Sequence, residues 1–196
     1  MHDTSLWNQF AERLKAGGKH SAIATAKDFA AFFEHNHTIV FRYVYGLGGG
    51  PHENAEDLTA EAFIRAWRAR GRFRGDAEAA LGWLLHIARN LVIDDARRRS
   101  LRPESSLEES DALRSREPSP EDAAIAHEQR RVLLDLLQSL PEQSRQMLVL
   151  RYLVGWRVNE IARYLGLNEN GVSVGIRRAL ERVQRQWPAG LKGSNQ

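Results

Sequence analysis

The sequence predicts an all-α protein, two small helical domains joined by a flexible acidic linker. Three observations carry that prediction. Apolar residues recur at helical spacing in both halves of the chain, and no stretch alternates apolar with polar residues as a half-buried strand does. The segment Leu101 to Pro120 (LRPESSLEESDALRSREPSP) is rich in Ser, Glu and Pro, holds three of the six prolines and has little periodicity, which reads as a linker. The 196 residues suffice for two small domains, each with a modest core. The division is an N-terminal extension over 1–24, a first domain over 25–100, the linker over 101–120, a second domain over 121–188 and a tail over 189–196.

Taken in order, a first helix runs from Asp28 to Tyr45. The Gly-rich piece Gly46 to Pro51 (GLGGGP) follows no strand pattern and lacks the Lys-Ser/Thr ending of a phosphate loop, so it reads as a turn between helices. A second helix starts near His52 and reaches Arg70, and a third runs from Glu78 into Arg97, Arg98 and Arg99. Beyond the linker come helices over Glu121 to Ser139, Glu142 to Leu153, Val158 to Leu165 and Glu169 to Gln186. Pro141 and Pro188 punctuate their ends.

Composition excludes several function classes. There is no cysteine, hence no disulfide scaffold, no thiolate nucleophile and no thiolate zinc site. Among seven histidines only His35 and His37 are close in sequence, and they lack a third ligand, so no metal site is expected. No nucleophile elbow appears, and neither an enzyme, catalytic residues nor a cofactor is expected. No apolar run reaches 18 residues and the first twenty lack a secretory pattern, so the expectation is a cytoplasmic protein without membrane insertion. The net charge of +3 is small, but its distribution is not even: residues 1–103 carry +3, 104–129 carry −6 and 130–196 carry +6. Two cationic modules flank an anionic strap. Arg outnumbers Lys 24 to 4, a bias suited to planar contacts with phosphate, although GC-rich coding produces it too.

In the second module, Val158, Ile161, Ala162 and Leu165 form a short apolar helix before Gly166, and Leu167 plugs the core. Asn168 can cap the next helix, whose apolar face is Val172, Ile176, Ala179, Leu180 and Val183. Its other face holds Asn170, Val174, Arg177, Arg178, Glu181 and Arg185. A Gly turn between two short helices, the second with a basic outer face, fits a helix-turn-helix entering a major groove, and it also fits a plain helical hairpin with a solvated face.

In the first module, the helix over 52–70 is apolar on two sides, Leu58, Ala62 and Ala66 on one and Phe63, Ile64 and Trp67 on the other. Between them runs a charged stripe, Asp57, Glu61, Arg65 and Arg68, which fits either solvated i,i+4 pairing or a partner surface. The next stretch sets Arg72, Phe73, Arg74 and Asp76 before a helix with Leu84, Ile87, Ala88 and Leu91 inside and His86, Arg89, Asn90, Ile93 and Arg97 on the other side. An aromatic among guanidiniums suits single-stranded nucleic acid, while the alternative is a core Phe73 and Trp83, with the Arg run ending a helix against its dipole. Trp83, between Leu81 and Leu84, reads as core.

These residues resemble bacterial RNA polymerase sigma factors of the extracytoplasmic-function (ECF) group, which have only sigma domains 2 and 4. AEDLTAEAFIRAWRA (Ala55 to Ala69), then RFRGDA and GWLLHIARNLVIDDARRR, are similar to domain 2, and LPEQSRQMLVLRYLVGW with NEIARYLGLNENGV is similar to domain 4. The resemblance implies a sigma domain 2 helical bundle and a sigma domain 4 helix-turn-helix. It implies that Asp57, Glu61, Arg65 and Arg68 dock on the clamp helices of core RNA polymerase, with the flap as a further contact. Arg72, Phe73, Arg74, Asp76, Arg89, Asn90, Arg97 and Arg98 would open the −10 element of promoter DNA and hold a flipped base, whose unstacking costs a few kcal/mol. Asn170, Ser173, Val174, Arg177 and Arg178 would read the −35 duplex, the acidic linker would thread toward the RNA path, and an anti-sigma factor would restrain the protein. Ser173, Val174 and Gly175 depart from the Lys or Ser and the Arg that many relatives carry, and Arg157 stands where a Ser or Thr often caps. A stand-alone dimeric helix-turn-helix regulator is the alternative; it predicts tight duplex binding without polymerase.

Overall fold

The computed structural model describes residues 21–101 and 120–191, so most of the expected N-terminal extension and linker, and the end of the tail, lie outside the described residues. Seven α-helices fill the described chain: α1 (Ala26–Gly48), α2 (His52–Ala69), α3 (Ala77–Leu101), α4 (Pro120–Gln138), α5 (Glu142–Val149), α6 (Val158–Leu165) and α7 (Glu169–Gln186). A short 3₁₀ turn, Arg70–Arg72, follows α2, and a π-helical turn, Leu150–Val154, continues α5. Among the described residues there is no strand, only a single bridge between Ser21 and Gly75.

Local chemistry sets the helix ends. Thr25 caps α1 through a reciprocal box: its hydroxyl accepts from the Asp28 N–H at 3.1 Å, and the Asp28 carboxylate accepts from the Thr25 N–H. The helix stops at Gly49, whose φ of 60° lets its N–H return to the Tyr45 carbonyl, so Gly46 to Gly48 of the expected GLGGGP turn extend α1 and only Gly49 to Pro51 link the helices. Asp76 caps α3 by accepting from the Ala79 N–H at 2.8 Å.

Helices α1, α2 and α3 pack against one another around Phe29, Phe32, Val44, Ala62, Leu84 and Ala88, all buried. Phe29, Phe63 and Trp67 meet edge to face, Phe29 lying 5.1 Å from Trp67 between ring centres. In the second lobe α5, α6 and α7 enclose Met147, Leu150, Ile161, Val172 and Ile176. Gly175 lies where α7 crosses α5, and an added Cβ would sit 2.6 Å from the Met147 sulfur. The ~1 kcal/mol helix penalty of that mid-helix glycine accompanies a close helix contact.

The two lobes share one continuous core. The end of α1 meets the π-turn and α5 so closely that a Cβ on Gly46 would fall 2.5 Å from Leu153 and 3.1 Å from Val149. Such proximity admits only glycine without local adjustment.

Candidate nucleic-acid and polymerase interfaces

The stripe on α2 is a surface. Leu58, Ala62 and Ala66 turn into the core, which leaves Asp57, Arg65 and Arg68 exposed and Glu61 half-buried on the far side. Glu61 and Arg65 pair at 2.7 Å, and Ile64 stands beside them 44% exposed, an apolar side chain within a charged field. An i,i+4 pair on such a face contributes only ~0.2–0.5 kcal/mol, so its charges are available to a partner at little cost.

The loop between α2 and α3 keeps Arg72 and Arg74 outside, and Arg74 donates to the carbonyls of Gly71 and Phe73 at 2.8 and 2.7 Å. Phe73 departs from the expectation of a base-stacking aromatic. It is 3% exposed and its ring lies 5.2 Å from Trp83, nearly parallel, leaving no open face for a base. It anchors the loop from inside, and Asp76 is engaged in capping α3. Asn90, Arg97 and Arg98 are exposed along α3. Asp95, almost fully buried, accepts from Asn54 at 2.9 Å and pairs with Arg98 and Arg99 at 3.5 and 3.0 Å, tying the basic end of α3 to the start of α2. Arg89 differs from its neighbours: it is half-buried and forms an ion pair with Glu142 of α5.

The second lobe forms a helix-turn-helix. Helix α6 ends at Gly166 with φ of 68°, and α7 begins at Asn168, whose side chain accepts from the Gly171 N–H at 2.6 Å. Arg157 precedes α6 and its N–H donates to Glu160 at 2.5 Å; a guanidinium has no acceptor, so it cannot return the bond as Ser or Thr does. Val172, Ile176 and Ala179 are buried, while Asn170, Ser173, Arg177 and Arg178 are exposed and Val174 is half-buried. Arg177 lies 4.0 Å from Glu181, a loose pair that leaves its guanidinium accessible.

Between the lobes is a polar cluster that the sequence reading did not single out. Tyr43 of α1 is fully buried; Gln146 of α5 donates to its hydroxyl at 3.0 Å, and the Tyr164 hydroxyl of α6 lies 3.4 Å away. Burial raises the pKa of both phenols, so they stay neutral. His86 of α3 stacks on Tyr164 at 4.3 Å, and burial, aided by the Arg89 charge, lowers its pKa to about 4.

Among the described residues, a helical bundle with a charged stripe in one lobe and a helix-turn-helix in the other is the arrangement that the resemblance to a two-domain sigma factor implies. Comparison with known proteins agrees. The Sigma-70 region 2 model matches residues 32–102 and the Sigma-70 region 4 model matches residues 130–183. The chain is 33% identical over 186 residues to the ECF RNA polymerase sigma factor BldN of Streptomyces coelicolor, covering 95% of this chain and 67% of that protein. It is 32% identical over 158 residues to the ECF RNA polymerase sigma-E factor of Escherichia coli K12, covering 76% and 78%. The sigma factor RpoE of Bartonella quintana, solved in complex with the anti-sigma factor NepR, shares the fold with a TM-score of 0.60 at 20% identity, over 82% of this chain and 96% of that one. This chain belongs to the ECF group of RNA polymerase sigma factors. No helix of the described residues is long and apolar enough to cross a membrane.

Proposed function

We propose that this sigma factor engages core RNA polymerase through the stripe of Asp57, Glu61, Arg65 and Arg68, opens the −10 element against α3, and reads the −35 element with α7. The observation that carries the reading is the pairing, on one chain, of an exposed charged helix face with a helix-turn-helix whose outer face bears Asn170, Ser173, Arg177 and Arg178. Single-stranded DNA would run over Arg72, Arg74, Asn90, Arg97 and Arg98, cations that track phosphates, with Arg89 added when its Glu142 partner is released. In α7, Arg177 and Arg178 supply phosphate contacts and Val174 offers an apolar surface to a thymine methyl. The protein acts by binding, in the cytoplasm, and contributes no catalytic group. The RpoE relative is held by an anti-sigma factor, and a restraining partner of that kind is the counterpart proposed here.

The test is reconstitution. Purified protein added to core polymerase should be retained with it in a pull-down and should yield transcripts from a limited promoter set. Tight duplex binding without polymerase, together with failure to bind core, would instead identify a stand-alone regulator.

A further inference from the structure

We propose that residues 21–23, just ahead of the cap of α1, are a brace that positions the loop over residues 72–76 for promoter opening: they hold it in the register that turns Arg72 and Arg74 outward. The inference rests on the reading of that loop as a −10 contact and adds what fixes the loop in place.

These residues fall within the N-terminal extension expected from the sequence, yet they are built into the first lobe. Ile23 is fully buried, and its N–H donates to the Ser21 hydroxyl at 3.4 Å. Ser21 forms a parallel bridge with Gly75, and the Ala22 N–H donates to the Gly75 carbonyl at 3.0 Å. The Ala22 side chain is exposed, so its contribution is made by the backbone. One side chain in the core and one backbone bond to the loop therefore tie the start of α1 to a segment about fifty positions further on.

The bonded segment alternates. Arg72, Arg74 and Asp76 are exposed, while Phe73 and Gly75 between them are buried. That is the two-residue period of extended chain, in which a slip by one residue would turn Arg74 inward and Phe73 outward. Two inner anchors oppose the slip, the Phe73 ring on Trp83 and the Gly75 backbone on the brace. Gly75 has a φ of 151°, and a Cβ there would lie 3.0 Å from the Phe73 ring and 3.1 Å from the Ala79 Cβ, so the close approach requires glycine. Arg74 donates to the Gly71 and Phe73 carbonyls, bonds that stay within the loop, and Asp76 caps α3. The bond from Ala22 is what holds the loop from the α1 side.

A loop ordered in advance spares DNA binding the cost of immobilising two long guanidinium side chains and the backbone that carries them. The charged stripe on α2 and the outer face of α7 belong to other elements, so loss of the brace should separate promoter opening from polymerase docking.

The test uses the full chain. Ala22→Pro removes the N–H that binds Gly75 and leaves Ile23 in place, whereas Ala22→Ser keeps the N–H. Each variant is combined with core polymerase on the promoter that yields most transcript from genomic DNA with the wild-type holoenzyme, and opening is followed by permanganate reactivity of unpaired thymines. Ala22→Pro should open the promoter about tenfold more slowly while its retention on core polymerase stays at the wild-type level. Ala22→Ser should open it at the wild-type rate. Ile23→Ala, which empties the buried site and keeps the backbone bond, should show the same split between opening and retention. Arg72→Ala with Arg74→Ala examines the loop itself, and a wild-type opening rate there overturns the −10 reading. If that double variant is slow and Ala22→Pro is as fast as the wild type, the brace alone is overturned. Equal losses of opening and of polymerase retention in Ala22→Pro also overturn it, because a purely structural role lowers both.

Discussion

Replacing His86 with Phe should reduce the acid sensitivity of this fold. His86 packs its ring on Tyr164 and is neutral in the folded protein, its pKa lowered to about 4 by burial and by the neighbouring Arg89. Groups that face it include Arg89 on its own helix, Tyr164 of α6 and, behind that phenol, Tyr43 of α1; Glu142 of α5 compensates Arg89. Unfolding exposes the imidazole and returns its pKa to 6.5, so below that pH the unfolded chain binds a proton that the folded chain refuses. Stability contributed by neutral His86 is therefore complete above 6.5 and declines as the pH falls toward 4. Between pH 7.5 and pH 5 the loss amounts to about 2 kcal/mol. Phe keeps the stacking surface and cannot titrate. Urea unfolding at both pH values measures the difference: the wild type should lose about 2 kcal/mol more than His86→Phe. Equal losses in the two proteins would refute the reasoning, and a smaller loss in the wild type would reverse its sign.

Three further outcomes follow from the same contacts. Phe73→Ala should destabilise the fold by ~3–5 kcal/mol in urea unfolding, the cost of emptying a core aromatic site; unchanged stability with lost single-strand binding would return Phe73 to the DNA surface. Arg177→Ala with Arg178→Ala should weaken −35 duplex binding and reduce the slope of log affinity against log salt by about 2, read by titration at several salt concentrations; an unchanged slope puts the phosphate contacts elsewhere. Asn168→Ala should cost about 1 kcal/mol in urea unfolding, because α7 loses the acceptor for the Gly171 N–H, and a stability equal to wild type would remove the cap from the account.

The helices were legible because their evidence is local. The spacing that predicts Val158 to Leu165 and Glu169 to Gln186 gives both helices as observed, since capping and apolar period act within a few residues. Third-helix limits shifted by a residue or two, where Asp76 and the bonds to Asp95 set the ends. What depends on distant partners was not legible. Gly175 reads in sequence as a flaw in a recognition helix, because nothing nearby announces Met147, 28 positions earlier, as the side chain it admits. Tyr43 lies among apolar residues like any core aromatic, and the hydroxyl it meets is 121 positions away. Arg89 shares the stripe of Asn90 and Arg97 on a helical projection, yet Glu142 across the lobe boundary separates its environment from theirs. Phe73 had both readings available in sequence, and its ring contact with Trp83 belongs to the interior one.

Helix α3 is a single unbroken rod of 25 residues, about 37 Å long at 1.5 Å per residue. Its first turn springs from the Arg72–Asp76 loop, its middle carries His86 and Arg89, and its last turn delivers the chain into the segment that leads to the second lobe. With no proline or glycine near its middle third beyond Gly82, it has no place to flex there. A rod of that kind works as a lever arm: a pull on its C-terminal end is felt as torque at the loop, so that end and the cations proposed to face DNA are mechanically in series.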